Sequence, residues 1–120
     1  MVTSLIKIFT FEAAHFLPKV PKDHKCRRMH GHSFKCEIEI TGEIDDNSGW
    51  VTDFSNIKKI YSPVRSELDH YLLNDIPGLE NPTSEVLCQW IWKRIKPSLP
   101  MLSSVTIHET CTSKCVYRGK

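Results

Sequence analysis

"HSFKCEIEITGE" (residues 32–43) is the stretch from which the fold of this chain is read. Phe34, Cys36, Ile38 and Ile40 alternate with Lys35, Glu37, Glu39 and Thr41, so an extended segment carries one apolar and one polar face. That pattern predicts a strand in an antiparallel sheet covered on one side only. Upstream, residues 4–15 read as a second strand. Leu5, Phe9, Phe11, Ala13 and His15 share one parity, while Ile6 and Ile8 occupy the other.

Downstream, "GEIDDNSGW" (42–50) gathers turn formers, and from Asp53 the period changes. Phe54, Ile57, Ile60 or Tyr61, Val64 and Leu68 recur every three to four residues, which predicts an amphipathic helix. Pro63 removes one helical hydrogen bond, so a kink or a fresh start is expected there. Residues 74–82 read as a loop, with Asn81 as N-cap and Pro82 as first residue of a second helix. Leu87, Ile91 and Ile95 form its apolar stripe beside Val86 and Trp90, and Pro97 and Pro100 close it. Residues 103–110 alternate again, and 115–118 extend the sheet. The expected fold is α+β: a four-stranded antiparallel sheet with two helices on one face. Such a sheet leaves open edges, and pairing of edges between subunits predicts an oligomer.

Composition excludes several classes of function. The 120 residues suit one domain, and a formal charge of +2 is too small to argue for a nucleic-acid partner. No apolar run reaches the 18 residues of a membrane span. The first 15 residues alternate, with Lys7 and Glu12 among them, so no signal peptide is expected. Five cysteines (26, 36, 88, 111 and 115) without framework spacing point to a reducing, cytoplasmic setting. No glycine-rich phosphate loop occurs.

Three histidines stand out. His30 and His32 share the parity of the apolar face of 34–40, and His15 shares that of Phe9 and Phe11. If the two strands are neighbours, three imidazoles converge at one end of the sheet. Three neutral imidazoles with an open fourth position describe a catalytic zinc site, although H-x-H alone is a weak signal. Gly31 places no side chain between them. Cys26, four residues before His30, has three readings: a fourth ligand closing a structural site, a base or nucleophile beside the metal, or an inert thiol. Arg27 and Arg28 beside it favour a lowered thiol pKa, which keeps the reactive reading open.

Glu109 has the parity of Val105 and Ile107, and a carboxylate on an apolar face needs a partner. It can be a solvated strand end, or it can accept a pair of donors such as the edge of a guanidine-like ring. Asp69 and His70, at the end of the first helix, can form an acid–base pair or an ordinary surface pair. The loop 18–29 carries Lys19, Lys22, Lys25, Arg27 and Arg28, a set of donors suited to phosphate oxygens.

"FEAAH" (11–15), C-x3-"HGHSF" (26–34), "GWVTDF" (49–54), "LDHYLLND" (68–75), "ENPTSE" (80–85) and "ETCTSKCVYRG" (109–119) together resemble the 6-pyruvoyl-tetrahydropterin synthase family, in order and over essentially the whole chain. The resemblance implies one domain over 1–120 with the tunnelling fold, in which sheets join edge to edge into an oligomeric barrel. The homo-oligomer would be built on trimers, up to a hexamer, with active sites between subunits. His15, His30 and His32 match the family's zinc ligands, Cys26 its catalytic base, Asp69 and His70 its proton-relay pair, and Glu109 its pterin anchor. Thr83 in "ENPTSE" is a further candidate substrate contact, and Lys25 and Arg27 are candidate contacts for a triphosphate.

The implied substrate is 7,8-dihydroneopterin triphosphate, with no nicotinamide and no membrane or nucleic-acid partner. The short tail CxxxCxYRG favours the bacterial branch, which forms 6-carboxy-tetrahydropterin for queuosine biosynthesis. Phosphate elimination to the pyruvoyl product is the alternative. Arg27 follows Cys26 here, whereas the folate-rescue variant carries glutamate in its active-site motif, which makes that role unexpected, and Lys114 replaces an expected small residue. A different class of reading, a non-catalytic zinc module binding nucleic acid through its basic loop, requires Cys26 to be a ligand.

Overall fold

The computed structural model describes residues 1–120. Strand β1 (Val2–His15) pairs antiparallel with β2 (His30–Glu43) along its whole length, from Val2 opposite Glu43 to His15 opposite His30. This long two-stranded ladder sets the elongated shape, 57 × 24 × 23 Å. Helix α1 (Phe54–Leu68), the short β3 (Tyr71–Leu72), helix α2 (Ser84–Ile95), β4 (Leu102–Thr110) and β5 (Ser113–Tyr117) follow.

The sheet order is β3-β1-β2-β4-β5, and β3 runs parallel to β1 while the other neighbours are antiparallel. The four-stranded antiparallel expectation is therefore corrected to five strands in a mixed sheet. The strand at 115–118 is present as β5, and the additional strand is β3. Two residues are too few to show a period of two, so Tyr71–Leu72 leaves no trace in the sequence pattern. What creates it is His70, whose φ of 67° turns the chain as it leaves α1. The His70 amide then donates to the Glu12 carbonyl, laying the next residues against Ala13 and Ala14 of β1.

One core lies between the helices and the sheet. Phe11, Phe34, Cys36, Ile38, Ile40, Val105 and Ile107 meet Ile57, Tyr61, Val64 and Leu68 of α1 and Leu87, Ile91 and Ile95 of α2 in a single cluster. Burial of each large apolar side chain contributes about 1.5–3 kcal/mol. The opposite face of the sheet is hydrogen-bonded across strands, through Ser33 to Glu12, His108 with Glu37, and Ser104 to Glu39.

Two helix details differ from the sequence reading. Helix α1 runs through Pro63 as one element, with the proline on its exposed side. Asp53 caps it by accepting from the Ser55 amide. Helix α2 begins later than Asn81–Pro82 suggests: Thr83 is the N-cap, its hydroxyl accepting from the Val86 amide at 3.1 Å. The Pro82 carbonyl is engaged elsewhere, by His15. Only Ala13 and Ala14 of β1 pair with β3, so the Val2–Phe9 stretch of that edge has no strand partner, and Ile6 and Ile8 are exposed beside it.

Candidate active site

The last rungs of the β1–β2 ladder build the site. His15 stands opposite His30, and His32 opposite Ala13. One nitrogen from each of the three imidazoles lies within 4.8 Å of the others, with His15 buried and His30 and His32 half-buried. The rings meet edge-on, with centroids 4.6 Å apart for His15 and His30 and 4.9 Å for His30 and His32. A methyl group at Gly31 would meet only the Ala13 carbonyl, at 3.6 Å, so packing does not demand glycine there.

Backbone carbonyls fix two of the tautomers. Nδ1 of His15 donates to the Pro82 carbonyl at 2.9 Å, and Nδ1 of His30 donates to the Arg28 carbonyl at 2.7 Å. Nε2 of each ring is then a free electron pair. Nε2 of His15 is fully buried and has no hydrogen-bond partner, although Glu109 Oε1 lies 3.2 Å away. The same carboxylate oxygen is 3.8 Å from Nε2 of His32. Electron pairs and a carboxylate converging on one point call for a cation, and three neutral imidazoles match the donor set of catalytic zinc. Burial lowers the His32 pKa most, Glu109 opposes it, and His15 and His30 add to the lowering, so the neutral ligand form is favoured. Glu109 is held below the usual carboxylate range, chiefly by its contact with His15, while partial burial opposes the shift.

Cys26 sits in a one-turn 3-10 helix (Lys25–Arg27). Its amide donates to His24 Nδ1 and its carbonyl accepts from the Leu17 amide. Its sulfur is not among the converging ligand atoms, but it lines a concavity of about 590 Å³ with His30, His32 and Glu109. Of the basic residues, Lys25 and Arg28 line this space. Arg27 does not; its guanidinium donates to the Val20 carbonyl at 2.8 Å.

Asp69 and His70 form a close pair, with His70 Nδ1 3.0 Å from Asp69 Oδ2. Asp69 Oδ1 accepts from the Glu12 amide, which holds this carboxyl below its ordinary value, with His70 and Arg65 contributing. The largely exposed His70 opens onto a second groove with Glu12, Ser33 and Tyr71, which shares Gly31 and His32 with the Cys26 concavity. Within one chain the dyad and Cys26 therefore face different spaces. The Thr83 hydroxyl serves as the α2 cap. Sequence reasoning counted Arg28 in the basic loop but singled out Lys25 and Arg27 as the triphosphate contacts, and it missed the Pro82 carbonyl. It also missed Asn74, whose amide both accepts from and donates to the backbone of Phe16, next to His15. The basic run and "ENP" marked the neighbourhoods, but a carbonyl acceptor has no side-chain signature.

Residues 4–120 match the family described as 6-pyruvoyl tetrahydropterin synthase. The chain belongs to that family. It is 44% identical to a 6-carboxy-5,6,7,8-tetrahydropterin synthase of Synechocystis over 94% of this chain and 91% of the relative. A Bacillus subtilis protein of the same name is 35% identical over 97% and 85%. A Pyrococcus furiosus protein named dihydroneopterin monophosphate aldolase is 39% identical over 83% and 81%. Among solved structures, 6-pyruvoyl tetrahydropterin synthase of Caenorhabditis elegans superposes with a TM-score of 0.91 at 28% identity, covering 100% of this chain and 97% of that one. Family membership accounts for the α+β architecture shared with that structure. No helix is long and apolar enough to cross a membrane.

Proposed function

We propose that this protein is a zinc-dependent lyase converting 7,8-dihydroneopterin triphosphate and water to 6-carboxy-5,6,7,8-tetrahydropterin, acetaldehyde and triphosphate, a step toward queuosine. The observation that carries the reading is the convergence of three imidazoles, two of them locked by carbonyls, in the space that Cys26 and Glu109 also line. Two relatives of that name, at 44% and 35% identity, support it.

His15, His30 and His32 would hold zinc, and zinc when bound supplies Lewis-acid polarisation of the substrate's side-chain hydroxyls. The Cys26 thiolate takes the proton from the adjacent carbon. Glu109 accepts two donors from the edge of the pterin ring. Asp69 orients His70, which moves protons at the side-chain oxygens. Because His70 and Cys26 face different grooves of one chain, the working site draws them from two subunits of a homo-oligomer. The unpaired edge of β1 supports such an assembly. Five free cysteines fit a cytoplasmic setting.

Likeness to the pyruvoyl-forming synthase fold favours one second reading, triphosphate elimination without carbon–carbon cleavage. Mass spectrometry of the products from 7,8-dihydroneopterin triphosphate and zinc-loaded protein decides between them. The carboxylate with acetaldehyde supports the first reading, and a pyruvoyl product the second. No turnover by folded, zinc-replete protein would overturn both.

A further inference from the structure

We infer that Arg28, with Lys25, binds the phosphate chain of the substrate, and that this fixes which end of the molecule lies beside Cys26. The inference rests on the substrate class proposed above. Three cations surround Cys26 in sequence, and the structure separates them. Arg27 spends its guanidinium on the Val20 carbonyl and stays out of the concavity. Lys25 and Arg28 are exposed and line it on the Cys26 side, where neither is engaged by a carboxylate or a carbonyl.

Glu109 is the one acidic residue of this lining, and it is already turned toward His15 and His32. The concavity thus takes two free cations from the 25–28 segment that carries Cys26 and one carboxylate from β4, the latter turned toward His15 and His32. A ligand with a phosphate chain at one end and a ring edge rich in N–H donors at the other supplies partners for both, its chain for the cations and its ring edge for the carboxylate. Arg28 has a second tie to the site, because its own carbonyl fixes the tautomer of His30. Its planar fork suits two phosphate oxygens at once, whereas Lys25 offers a single mobile charge.

The test compares Arg28→Ala, Arg28→Lys and Lys25→Ala with Lys22→Ala, a charge-matched change on the same loop outside the concavity. Steady-state kinetics with 7,8-dihydroneopterin triphosphate are expected to show KM raised about tenfold in Arg28→Ala, with kcat little changed. Arg28→Lys recovers part of the loss, Lys25→Ala shows a smaller rise, and Lys22→Ala stays near wild type. Calorimetric titration with inorganic tripolyphosphate reads the same contact without turnover. Heat from zinc capture is common to all four variants, since none alters a ligand. Tripolyphosphate binding weakened by Arg28→Ala but not by Lys22→Ala supports the assignment even if the substrate reading fails. Equal effects of Arg28→Ala and Lys22→Ala, or none from Arg28→Ala, overturn it.

Discussion

Nδ1 of His15 donates to the carbonyl oxygen of Pro82 across 2.9 Å, tying the last residue of β1 to the residue before the cap of α2. This bond leaves the buried Nε2 as an electron pair with no hydrogen-bond partner. His15→Ala and His30→Ala should therefore each lose most of their zinc on dialysis. Cys26→Ala should keep both its zinc and its circular dichroism while turnover falls roughly 10²–10⁴-fold. Metal analysis beside activity separates the two outcomes, and loss of zinc by Cys26→Ala would make Cys26 a ligand.

Asn74 holds Phe16 by two backbone hydrogen bonds of 3.0 and 2.8 Å. Asn74→Ala leaves those groups without protein partners, and a loss of about 1–3 kcal/mol is expected in urea denaturation. A change within experimental scatter would mean that water replaces the amide at no net cost.

Thr83 was a candidate substrate contact, and its hydroxyl caps α2. Thr83→Ala should cost about 1 kcal/mol of stability, and Thr83→Ser should restore it. A rise in KM without any loss of stability would return Thr83 to the substrate.

The Glu12 amide, then His70 and Arg65, hold the Asp69 carboxyl below its ordinary value. A lowered folded-state value means that the stabilisation is complete above the unfolded-state pKa. It is lost as pH falls through the lowered value. The Asp69–His70 tether should therefore be insensitive to Asp69 titration at neutral pH. A carbon-13 titration of the Asp69 carboxyl should give a midpoint below about 3.9, and a midpoint above that value would contradict the contact seen here.

Burial pushes the Cys36 thiol up to about 12 and also raises the Cys88 thiol above its ordinary value. Cys26, Cys111 and Cys115 are at least partly exposed. Iodoacetamide at neutral pH should modify Cys36 and Cys88 at least about a hundredfold more slowly than Cys111, read by peptide mass spectrometry. Comparable rates would show that the core opens readily.

Alternation over 34–40 and over 4–15 was enough to predict two strands, and parity was enough to place His15, His30 and His32 on their apolar faces, while the pairing that brings them together came from the structure. Both follow from the period of two, a local property of extended backbone. Cap chemistry was less legible: Asn81 and Thr83 are both good N-caps, and the choice fell to Thr83 while the preceding carbonyl is held by His15.

Order in the sequence alone thus determined the elements, the apolar faces and the identity of the three imidazoles. Tertiary structure decided the fifth strand, which depends on one left-handed residue at His70 and a hydrogen bond to Glu12. It also decided which two of three neighbouring cations are free to meet a ligand, and which groove each reactive side chain faces. These outcomes turn on contacts between residues dozens of positions apart. No local periodicity encodes them, because a carbonyl or a free guanidinium acquires its role only from what folds against it.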